Sequence, residues 1–382
     1  MRNEALTRAD IPPLLRLPLL LLGLLALVIG VLAGLARLMV DVPAIAAAQA
    51  GAHGAFMIAA FLGTVISLER AVALARTWSY LAPLCAGLGG LMLALGQPTI
   101  VAQALFIIAG AAASAGNGAI LRRHPGIHHA MLALGSGAWL IGNLAWLVAG
   151  TIIPAVPWWM TFLVFTIAGE RLELTRFLPK TPGARTLFVA IVAMQLFGLT
   201  IAFWQDGIGL RLFAAALLAL AGWLLRHDIA RRTVRQRGLT RYIAACLLAG
   251  YGWLAVGGLL GMAGGFALGN PLRDAALHAV FLGFVMSMIF GHAPIILPAL
   301  ARIRIPYHSA FYLPLMALHA SLLARVIGDF SETPALTRLA GIANAMALLF
   351  FILIVLVSVV RGLRTRESAA ADVEPGAAGR VT

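Results

Sequence analysis

The chain has 382 residues, 62% of them apolar and only 11% charged, with a mean hydropathy of +0.96. That composition excludes a water-soluble globular domain and defines a polytopic membrane protein of the all-α class. The net charge of +14 raises the question of nucleic acid, which the placement of the basic residues answers.

Twelve apolar runs near the bilayer-crossing length of about 20 residues follow one another. They fall at 14–38, 45–68, 79–96, 99–121, 127–150, 153–174, 186–204, 208–225, 240–262, 274–299, 308–327 and 337–360. Arg2, Arg8 and Arg16 precede the first run, as in a secretion signal, but the run is too long for one and reads as an uncleaved span. All but five of the 28 Lys and Arg fall at the N-terminus, in the C-terminal tail, or at the loops after even-numbered spans. The exceptions are Arg37, Arg211, Arg273, Arg325 and Arg338. Orientation follows basic residues in short loops, so both termini are predicted to be cytoplasmic. The richest block, Arg226 to Arg241, then faces anionic headgroups, and no nucleic-acid partner is needed to explain it. Residues 1–366 read as a single transmembrane helical domain and 367–382 as a disordered cytoplasmic tail.

Spans 2 and 6 share an ungapped pattern, F-L-x-x-x-I-x-x-E-R, running from Phe61 to Arg70 and from Phe162 to Arg171. The four-span offset suggests three arcs of four helices. Glu69 and Glu170 then sit at cytoplasmic helix ends, as ion-pair partners or as a route for protons to a buried centre. Asn117 and Asn143 read as interhelical hydrogen-bond formers. Ala275, Ala279 and Gly283 on span 10, and Gly250, Gly257, Gly261 and Gly265 on span 9, form small-residue stripes for close packing. The two cysteines, Cys85 and Cys246, lie in distant spans and read as small apolar filler. No phosphate loop, dinucleotide fingerprint, zinc-protease helix or nucleophile elbow is present.

Histidine carries the chemistry. His278 and His292 are 14 residues apart in span 10, and His308 and His319 are 11 apart in span 11. Each pair returns to within about 40° of one helix face, rising roughly 21 Å and 16 Å. Antiparallel neighbours would bring His278 to the level of His319 and His292 to that of His308. His53 opens span 2 from the outside, so His53, His278 and His319 form an outer set on three helices. Imidazole in an apolar span needs a partner, and three at one depth suit two axial ligands to a haem or three ligands to copper. His292 and His308, with His128 and His129, form a weaker inner set nearer water. Met57, Met286 and Met288 lie close by and read as core filling.

These residues resemble the NnrS family, bacterial membrane proteins associated with nitric-oxide and nitrite metabolism and distantly similar to haem-copper oxidase catalytic subunits. The resemblance rests on the helix count, on His53-Gly-Ala-Phe-Met57, and on the run from His278 through Gly283 to His292. It implies a twelve-helix bundle in the bacterial inner membrane with haem and copper as cofactors, held by intramembrane histidines. His53, His278 and His292 match the family's positions, and a small gas or an electron donor is the implied partner beside the lipid bilayer. Spans 6 and 7 carry no histidine, so a complete binuclear oxygen- or NO-reducing centre is not expected. Two other functions compete. A secondary transporter would show two six-span halves and broken helices, against the four-span repeat seen here. A scaffold subunit would use its histidines only to brace helices.

Overall fold

The computed structural model describes residues 10–175 and 182–371. Its helices are α1 (Pro13–Arg37), α2 (Ala55–Leu74), α3 (Thr77–Ala94), α4 (Thr99–Arg123), α5 (Ile127–Ala149) and α6 (Ala155–Thr175). They continue with α7 (Ala184–Ile201), α8 (Asp206–His227), α9 (Gly238–Gly265), α10 (Arg273–Ala301), α11 (Ser309–Phe330) and α12 (Pro334–Leu363). Eleven of these are long and apolar enough to cross a membrane. The other is α6, which has 21 residues but dilutes its apolar run with Trp158, Trp159, Thr161, Thr166, Glu170 and Arg171. Those same residues suit it to protein surroundings, and Trp159, Thr161 and Arg171 are all buried.

The helices stop where the backbone forces them to. Ala75 takes a left-handed φ of 52° after α2, and Arg302 does the same after α10. Gly150 closes α5 at φ 68°, a conformation glycine adopts without a Cβ clash. Span 2, expected from residue 45, begins properly only near His53, because short turns at Ala44–Ala47 and Ala50–Ala52 precede it. The last helix runs on to Ala371, five residues beyond the expected start of the tail. Its Arg, Glu and Ala residues are good helix formers and need no packing to continue a helix already nucleated. The remainder of the tail, 372–382, lies outside the described residues.

Chain neighbours pack side by side throughout, as short connections dictate. The centre is formed differently. Helix α10 touches α1, α2, α6, α9 and α11, and it is the most buried span. Helix α2 reaches α6 through Arg70 and Glu170. So α2, α6 and α10, the second helix of each successive four, meet in the middle of the bundle.

Two asparagines inside the spans are satisfied between helices. Asn143 on α5 donates to the Phe106 carbonyl on α4 at 2.7 Å and accepts from Trp159 Nε1 on α6 at 2.9 Å. Asn117 on α4 donates to the Leu132 carbonyl at 3.3 Å. Both asparagines therefore act as the sequence predicts. Cys85 and Cys246 are buried free thiols.

Candidate functional site

Helices α2 and α10 begin in the same way. Near its outer end each has a histidine, two apolar residues and then Phe: His53-Gly54-Ala55-Phe56 and His278-Ala279-Val280-Phe281. Each then winds as a π-helix for eight residues, Ala55–Leu62 and Ala279–Met286. Such wide turns are rare and concentrate at functional sites. The end of α9 carries a third, Gly261–Gly265.

The two opening histidines come together. Their ring centroids are 6.3 Å apart and their planes differ by 16°. Each ring is fixed through Nδ1. His53 Nδ1 lies 2.7 Å from the Gly30 carbonyl on α1. His278 Nδ1 lies 2.9 Å from the Asp274 carbonyl and 3.3 Å from its Oδ1. A carbonyl or carboxylate only accepts, so Nδ1 carries the proton in both rings and the lone pair is left on Nε2. This is the way metal-ligating histidines are oriented from behind. With that lone pair free on each ring, His53 and His278 would be able to hold a haem iron or a copper ion through Nε2.

The surroundings are built to hold the pair. Gly34 of α1 lies against His53, and a Cβ there would stand 2.7 Å from Cε1 of the ring. Behind His278, Asp274 is clamped by Arg325 of α11, with Nε at 2.6 Å and Nη2 at 3.0 Å. The order is therefore Arg325, Asp274, His278, His53, Gly30, spanning α11, α10, α2 and α1. The sequence showed Arg325 only as one of five basic residues outside the main pattern. A tighter signal lay in the (i, i+4) spacing of Asp274 and His278.

His319 is at the right level but turned elsewhere. It lies six residues before Arg325 on α11, and His278 lies four after Asp274 on the antiparallel α10, so the two differ by only about 3 Å in depth. Its ring is nearly parallel to that of Trp253 on α9, and Trp253 Nε1 donates to His319 Nδ1 at 3.0 Å. With Nδ1 accepting, a neutral ring carries its proton on Nε2, which is buried without a partner. His319 is thus a donor awaiting an acceptor. Gly283 of α10 makes space for Trp253, since a Cβ there would fall 2.5 Å from the indole Cγ. Among the described residues no three His, Cys, Asp or Glu side chains converge as a ligand set, so the expected outer trio resolves into a pair and a separate donor.

The inner histidines do not pair. His292 donates from Nδ1 to the Met288 carbonyl one turn back, at 2.7 Å. His308 stands exposed just before α11, where its Nδ1 accepts from the Ala310 N–H at 3.1 Å and caps the opening turn. It lies outside the span in which the sequence placed it, because Pro306 and the extended backbone at His308 delay the helix. His129 binds the His124 carbonyl and touches the His128 ring in the first turn of α5.

The architecture is that of an all-α, multi-pass membrane protein with an oriented imidazole pair between its central helices. Residues 16–360 match the domain of unknown function DUF8744, and the chain belongs to that family. No curated protein and no solved structure matches it.

Proposed function

We propose that the protein is a haem- or copper-binding integral membrane protein, NnrS-like, linked to nitric-oxide metabolism or stress. His53 and His278 would hold the group through Nε2. The observation supporting this is their 6.3 Å, 16° arrangement with both Nδ1 atoms engaged from behind. A haem or copper ion bound there would supply one-electron chemistry and a centre able to meet a small gas. The chain's own residues have other tasks. Arg325 and Asp274 orient His278 and favour its basic Nε2, while Gly30 and Gly34 fix His53. The buried Nε2–H of His319 offers a hydrogen bond to a polar guest near the same depth. In this reading the basic end of the bundle faces the cytoplasm of a bacterial inner membrane, and the imidazole pair lies toward the outer surface.

The test is an absorption spectrum with metal analysis of protein purified from haem- and copper-replete cells. A Soret band or stoichiometric copper, lost in both His53→Ala and His278→Ala, is the expected result. Protein carrying neither group, or carrying one that survives both substitutions, overturns the proposal.

A further inference from the structure

At the other end of α2, the repeated Glu-Arg pairs do not simply pair within themselves. Arg70 Nη2 lies 3.2 Å from Glu69 Oε1 and 2.6 Å from Glu170 Oε1 on α6, so one guanidinium serves two carboxylates. The equivalent Arg171 is not available to balance the second. It makes a two-pronged bond to Asp228, at 2.8 Å and 3.2 Å, with side chains only 4% and 0% exposed. Asp228 is held further by the Ala230 N–H. With every group ionised, Glu69, Arg70 and Glu170 carry one surplus negative charge at a half-buried site between central helices. Glu173 on α6 adds another acidic neighbour to Arg70. His292 on α10 faces Glu170, Arg171 and Asp228, and Tyr251 on α9 faces the Arg171–Asp228 pair.

Two small cavities adjoin Arg70. They share Ser67, Arg70, Ala113 and Asn117, and they leave about 10 Å³ and 20 Å³ for the centre of a water molecule. That is about enough for one water each. Ser136, Thr166 and Trp139 complete one of them. Trp139 is fully buried, and its Nε1–H has no acceptor; Arg70 Nε is likewise buried and unpartnered. Two orphaned donors beside a space of water size, lined by Ser67, Asn117, Ser136 and Thr166 among apolar neighbours, call for an oxygen there, since an unsatisfied buried donor is costly.

We propose that Glu69 and Glu170 form a carboxyl pair sharing one proton across Arg70, with water beside Arg70 solvating its guanidinium and the partly exposed carboxyls exchanging that proton with water that reaches them. Two carboxylates with a single cation between them cannot both stay ionised cheaply in a low-dielectric setting, and one proton removes the surplus charge. The exchange is balanced: hydronium gives its proton to a carboxylate oxygen and leaves as water, and the reverse step restores it. The proton belongs to the pair rather than to either residue. Substituting one partner leaves the other with Arg70 to itself, and therefore ionised.

The experiment is pH-titrated infrared spectroscopy of the full-length protein in lipid nanodiscs, following the carbonyl stretch of a protonated carboxyl group. The wild type should show such a band at neutral pH, shifted in heavy water and lost on adding base. Glu69→Gln and Glu170→Gln should each remove the band completely rather than by half. A band absent at neutral pH in the wild type, one that persists in both variants, or one that sodium displaces at fixed pH overturns the proposal. Should neither glutamine variant fold, Glu69→Asp decides: a shifted band supports the shared proton, and an unchanged spectrum refutes it. No metal is needed, so failure here leaves the imidazole pair untouched.

Discussion

Arg325 grips Asp274 with two parallel bonds, at 2.6 Å and 3.0 Å, and so fixes the carboxylate that stands behind His278. Bidentate guanidinium–carboxylate pairing is both strong and directional. The proton on His278 Nδ1 is thereby held in place from the neighbouring helix, α11. Asp274→Asn should keep the fold but weaken any group bound at Nε2 by about 10–100-fold, the usual effect of losing a carboxylate behind a ligating imidazole. Titration of haem or copper into the stripped variant measures this. Unaltered affinity would mean that Asp274 serves packing alone.

Gly34 has no room for a side chain, with a Cβ only 2.7 Å from the His53 ring. In Gly34→Ala the ring must swing away and give up its bond to the Gly30 carbonyl. The expected outcome is loss of the bound group at little cost to overall yield. A Gly34→Ala protein with wild-type spectrum and metal content would contradict the placement of His53.

Arg171 and Asp228 are almost wholly removed from solvent. Breaking such a pair by removing one partner typically costs about 3–5 kcal/mol, because a bare charge is left behind. Arg171→Met alone should therefore lower the unfolding midpoint sharply, whereas Arg171→Met with Asp228→Leu should recover most of the loss. A denaturant titration of both variants in detergent checks the sign. Equal damage from the single and double substitutions would show that the pair contributes more than charge balance.

Asn143 joins α4 to α6 through two hydrogen bonds. Asn143→Leu leaves the Trp159 indole N–H without an acceptor, at a cost of about 1–3 kcal/mol. Trp159→Phe in the same background should return part of it, since the orphan is then removed. The coupling between the two substitutions, read from a double-mutant cycle, is the measurement.

Much of the scaffold was legible because bilayer length and basic-residue placement are strong constraints. Most spans agree with the helices to within a few residues, although the second starts well after residue 45 and the last runs on to Ala371. Asn117 and Asn143 behave as expected because a buried amide in an apolar helix must find a partner on a neighbour. The site was legible only in part. Helical periodicity gave the depth of His319 but not its rotation toward Trp253, since an indole in a neighbouring span is invisible to spacing within one helix. The same limit hid Arg70's reach to Glu170, which crosses between spans 100 residues apart. His308 falls one residue before its helix, as its cap, because an apolar stretch can start before its helix does.

The π-wound stretches after His53 and His278 set the phase of everything that follows them. Were Ala279–Met286 to wind as an ordinary helix with no residue removed, the extra residue now taken up by its wide turns would have to be absorbed by rotation. Every side chain beyond it would then rotate by about 100° relative to those before it. His278 would stay where it is, while His292 and the face of α10 that meets α6 would turn aside. The two ends of the central helices are therefore geared together, and substitutions that convert a wide stretch to ordinary helix should displace His292 while leaving His278 in place.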